Sequence, residues 1–114
     1  HDLNIDNQLT NAAVITACRP QKDSSVKKIF GFEVLSSTEW NSTAHPSFRP
    51  QYIVDIEMFW SKKYQALLCY EDELRPFPHS RSIESIEALA ILRGATHGLK
   101  KAEAFYVERI IDSL

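Results

Sequence analysis

Apolar and polar positions alternate with changing period along the chain, and the period assigns the elements. From Asn7 to Arg19, the residues Leu9, Ala12, Ala13, Thr16 and Ala17 recur at helical spacing, with Asp6 as the expected N-cap and Pro20 as the stop. The polar connector "QKDSSVKK" leads into "IFGFEVL", a short apolar run rich in aromatic and branched residues that reads as a buried strand. "SSTEWNSTAHPSFRP", Ser36 to Pro50, has two prolines and many small polar residues, so it is expected to be a loop. A loop of about 15 residues is longer than a compact domain usually keeps without a function nearby. "QYIVDI" reads as a second strand, and Glu57 to Tyr70 as a helix with Trp60, Tyr64, Leu67 and Leu68 on one face turned to the core. The prolines of "RPFPHSRS" break that helix. Ser82 can cap the next, "IESIEALAILRGATHG", with Ile83, Ile86, Leu89 and Ala90 inward, His97 in the last turn and Gly98 as the stop. "AEAFYVERII" alternates as a final strand. The order helix, strand, strand, helix, helix, strand implies α/β architecture, with a parallel sheet expected.

Composition narrows this picture. The chain has 114 residues, enough for a single domain, with 44% hydrophobic and 25% charged positions, a globular balance. A net charge of −2 supplies no field favouring nucleic acid or an anionic membrane. No apolar run approaches the roughly 20 residues of a membrane-spanning helix. Cys18 and Cys69 fall within expected helices among apolar neighbours, where buried free thiols are expected, and a cytoplasmic location fits them. The chain opens on His1 and its single methionine is Met58, as expected of a trimmed chain.

Candidate chemistry begins at "HDLNIDNQL", where Asp2, Asn4 and Asp6 follow the D-x-N-x-D rhythm of a cation loop. An EF-hand loop would need glycine and glutamate at its sixth and twelfth positions, which hold Asn7 and Ala13. His1, His45, His79 and His97 are too scattered for a zinc spacing, although a rearranged set of His1, Asp2, Asp6 and His79 would be an alternative metal site. Asn41 opens a glycosylation triplet of a kind frequent by chance.

Four segments, "DLNIDNQLTNAAVITACRP", "FEVLSSTEW", "ALLCYEDELRPFPHSRSIESIEALAILRG" and "AEAF", stand in the order and near the spacing of the C-terminal half of the LmbE-like, or PIG-L, family of zinc-dependent N-deacetylases. The resemblance implies a partial Rossmann-like three-layer fold, completed here by self-association, and chemistry that removes acetyl groups from N-acetylglucosamine-type sugars. The family's zinc is held by a histidine and an aspartate of an AHPDD motif and by a later histidine; a bound water attacks the amide while an aspartate acts as general base. This sequence has no AHPDD, and Asn7 occupies the third ligand position. It is therefore expected to be catalytically inactive alone and to hold no cofactor, with zinc belonging to the complete family. By the same resemblance Asp6 matches the aspartate beside the metal. His79 and Arg81, in "PHSRS", match a segment near the sugar end of the cleft, which Glu39 and Trp40 would also line. The implied partners are a carbohydrate or nucleotide-sugar and a second copy of the chain, with neither nucleic acid nor membrane. A non-enzymatic homo-oligomeric sugar-binding module is the alternative.

Overall fold

The computed structural model describes residues 2–113. The fold is mixed α/β, with three helices and a small antiparallel sheet. In chain order the elements are α1 (Ile5–Ala17), β1 (Lys28–Phe32), β2 (Tyr52–Asp55), a 3-10 turn (Glu57–Phe59) running into α2 (Trp60–Leu68), α3 (Ile83–Ala95) and β3 (Ala102–Ile110). The sheet order is β1-β3-β2. The expected parallel sheet is not what forms. A single helix between two strands returns the chain for a parallel pairing, whereas two successive helices, here α2 and α3, reverse it once more.

The chain divides into two compact units. One comprises the residues up to Gln51 together with those from Phe105 onward, and the other comprises Tyr52–Ala104.

In the first unit, β1 pairs antiparallel with β3, from Lys28 opposite Ile110 to Phe32 opposite Phe105. The register shifts between Ile29 and Phe30, leaving Glu108 as the extra residue of a β-bulge. Gly31 stands opposite Tyr106, and a Cβ at Gly31 would lie 1.8 Å from the Tyr106 ring. The glycine thus lets an aromatic ring lie across the strand. Helix α1 begins two residues before the expected start because Asn4, not Asp6, is its cap: the Asn4 Oδ1 accepts from the backbone N–H of Asp6 and Asn7. At the other end the Arg109 guanidinium donates to the carbonyl of Cys18, placing a cation where the helix dipole is negative. None of the residues of α1 is buried, and Leu9, Ala12, Ala13, Thr16 and Ala17, which recur at helical spacing, are all exposed.

In the second unit, Ile56, Ala90, Ala102 and Ala104 are the buried apolar residues. Ser82, fully buried, caps α3 by accepting from the Ser85 N–H at 3.1 Å, and Gly98 takes the left-handed conformation (φ 74°) just past the helix end. Ile83, Ile86 and Leu89 are half-buried beside Ala90, as the spacing predicts. Trp60, Tyr64 and Leu67 are half-buried as well, while Leu68 is exposed. Lys101 sits 4.6 Å from the centre of the Trp60 ring and 2.8 Å from Glu87, and Lys63 pairs with Glu103.

Both cysteines are free and terminate helices. Cys18 is half-buried, but Cys69 is exposed, a departure from the expected buried thiol that follows from its place at the last turn of α2. Among the described residues no helix is long and apolar enough to cross a membrane.

Candidate functional site

The opening motif proves to be a hydrogen-bonded clasp. The Asp2 carboxylate accepts from the Asn4 N–H at 2.8 Å, from the Ser37 hydroxyl, and from the Thr38 hydroxyl at 3.2 Å. The Asn4 N–H also reaches the Ser37 hydroxyl at 3.1 Å, and the Leu3 N–H the Ser37 carbonyl. Alternating short polar residues suit this purpose because Asp and Asn side chains turn back onto nearby backbone N–H groups. Ser37 is buried beneath the clasp. Two of the three polar positions are thereby committed, Asp2 to the loop and Asn4 to the helix start, while the Asp6 side chain is exposed in the first turn of α1.

Glu39 turns inward upon its own loop. Its carboxylate accepts the N–H of Ser36, a residue held at φ 67° in the left-handed region that side chains rarely adopt. The turn is further closed by Thr38, whose N–H reaches the Val34 carbonyl at 2.8 Å while its hydroxyl accepts from the Val34 N–H. Glu39 accordingly supports the loop, and the neighbouring Trp40 is half exposed at 52%.

In the second unit, "PHSRS" forms a tight turn before α3. The His79 Nδ1 accepts from the Arg81 N–H at 3.0 Å, and the His79 carbonyl accepts from the Ser82 N–H and the Ser85 hydroxyl. With Nδ1 accepting, a neutral ring carries its proton on Nε2. Arg81 pairs with Glu73 through Nη1 at 2.7 Å, and its buried Nε has no hydrogen-bond partner. His79 and Arg81 are thus brought together; Asp6, Asn7, Glu39 and Trp40 all belong to the first unit.

The donor set does not fit zinc. Asn7 offers a neutral amide where the resemblance calls for an imidazole. Among the described residues no group of three or more His, Cys, Asp or Glu side chains is placed to hold a metal ion. Of the rearranged set, His1 lies outside the described residues.

A cavity of about 410 Å³ lies within the first unit, between α1 and the β1–β3 pair. Asn7 and Asn11 line it from the helix, Phe30, Phe32 and Tyr106 from the strands, and Phe48 from the loop. The Phe48 and Tyr106 rings meet edge to face, 6.0 Å apart at 78°. The sequence reading passed over this aromatic wall. Its signal was the lone glycine inside an otherwise aromatic strand, the mark of a close approach by another group.

Compared with protein-family models, curated proteins and solved structures, the chain matches none.

Proposed function

We propose that the chain is a non-catalytic, carbohydrate-binding part of an LmbE-like N-deacetylase architecture, a partial Rossmann-like α/β fold acting on N-acetylglucosamine-type sugars or nucleotide-sugars. The observation that carries this reading is the "PHSRS" turn. His79 holds the Arg81 backbone, Glu73 orients the guanidinium through Nη1, and the Nη donors of the planar group are suited to a sugar hydroxyl or a phosphate oxygen. The amide at Asn7 supports the non-catalytic half of the proposal.

Calorimetric titration with N-acetylglucosamine and with its uridine diphosphate conjugate tests it. Saturable binding to the native chain is expected, at least tenfold weaker in Arg81→Lys, which keeps the charge and loses the fork. No binding, or equal binding by both proteins, overturns the sugar assignment. Elemental analysis addresses the catalytic half: the native chain is expected to carry no stoichiometric zinc, and about one zinc per chain would return it to the metalloenzymes.

A specific observation favours assembly as a second reading. Helix α1 exposes Leu9 at 64% along with Ile5, Val14 and Ile15, and its small residues Ala12, Ala13, Thr16 and Ala17 border a broad trough with residues 21–26. Small residues permit close approach by another backbone, and exposed apolar side chains favour its burial. The occupant we propose is a second copy of the chain, joined through a two-fold interface. Light scattering at micromolar concentration should give twice the chain mass, whereas a folded monomer would sink the proposal.

A further inference from the structure

The cavity of the first unit has a chemical character that neither a sugar-binding turn nor a subunit interface explains. Phe48 and Tyr106 meet ring against ring at its wall, while Phe30 and Phe32 border it from the opposite face of β1, where Phe30 meets Phe105, and among its described lining residues Asp2 alone bears a charge. The other polar side-chain groups there are the neutral amides of Asn7, Gln8 and Asn11, the hydroxyls of Thr10 and Thr38 and the Tyr106 phenol. We infer that this cavity is a binding site for a small organic ammonium cation, of the quaternary or methylated amine class.

Each part of the wall suits that ligand. An aromatic ring carries negative electrostatic potential on its faces, so a ring face attracts a cation whose charge is spread over alkyl groups. Phe48 and Tyr106 bring two such rings to the cavity, 6.0 Å apart, and a cation gains by resting on a ring face, since the ring edges are positive. Tyr106 is held there by Gly31, across which its ring lies. The Asp2 carboxylate, fixed by Asn4, Ser37 and Thr38, supplies the complementary charge. No lysine or arginine is among the described lining residues, so an anion would meet the Asp2 carboxylate with nothing to offset it. The volume falls within the roughly 300–1000 Å³ usual for small-molecule clefts.

Choline chloride and its uncharged isostere 3,3-dimethylbutan-1-ol are the probes, titrated into the full chain. Binding is followed by nuclear magnetic resonance shifts of the Gly31 amide and the Tyr106 ring. Saturable choline shifts are expected, with the isostere at least tenfold weaker. Phe48→Leu and Asp2→Asn should each weaken choline binding at least tenfold while circular dichroism stays native. If either variant fails to fold, the comparison of choline with its isostere on the native chain decides the matter. Equal binding of both compounds would make the cavity an apolar slot and overturn the proposal. So would the absence of choline shifts, or shifts at Gly31 and Tyr106 from N-acetylglucosamine in place of choline. This inference is independent of the sugar reading, because Arg81 belongs to the other unit and an Arg81→Lys variant should retain choline binding.

Discussion

Gly31 and Tyr106 show how one residue's missing side chain determines another's place. Any Cβ at position 31 must displace the Tyr106 ring, so Gly31→Ala is expected to destabilise the fold by about 1–3 kcal/mol, the usual range for overpacking, as measured by urea denaturation. The ring it frees should also lose its edge-to-face contact with Phe48. Tyr106 carries a pH signature of its own. Burial, and then the nearby Glu108 carboxylate, raise its phenol above the ordinary value of 10.0. The folded chain therefore holds this proton more tightly than the unfolded chain does. The stabilisation is complete below pH 10 and is lost as pH rises through the folded value. Thermal melts between pH 9 and pH 11 should accordingly fall more steeply for the native chain than for Tyr106→Phe. The sequence carried a signal of this that went unread: a glycine amid Phe30 and Phe32 is the mark of a close approach. Tyr106 as the group approaching it depended on strand register, which only the folded pairing supplies.

The elements were the most legible level, because caps and breakers act locally. Ser82 was expected to cap α3 and does so, fully buried, and Gly98 ends that helix in the conformation expected of a stop. Ser82→Ala should cost about 1 kcal/mol, the typical loss of a helix cap, with the lost hydroxyl contact to Ser85 adding to it. Asn4→Ala should cost a similar amount at α1, while Asp6→Ala should cost clearly less, a contrast visible in paired urea titrations. The first helix was misjudged by two residues for a reason of chemistry. Asp and Asn cap almost equally well, so with Asn4 and Asp6 both present the spacing alone could not choose, and the Asp2 clasp to Ser37 and Thr38 determined where the chain turns. Of the candidate site, His79 and Arg81 were legible as neighbours because only one residue separates them. The self-directed role of Glu39 was hidden, since it follows from the unusual backbone of Ser36. The buried thiol expected at Cys69 failed because an apolar neighbourhood in sequence does not say which side of a helix end faces water.

At the scale of the whole molecule, the assembly proposal rests on the exposed apolar residues of α1, Ile5, Leu9, Val14 and Ile15. If a second copy covers this surface, stability is linked to association, and the midpoint of thermal unfolding should rise with protein concentration. A midpoint constant over a hundredfold range of concentration would instead show that folding proceeds without a partner. The contrast between the two ends of α1 and its bare middle carries the matter further. Asn4 and Arg109 fasten the ends, so substitutions there are felt by the fold itself. Along the exposed stretch between them, replacements other than proline and glycine should change the isolated chain's folding little, and positions that tolerate nothing in the cell would trace the footprint of whatever rests upon the helix.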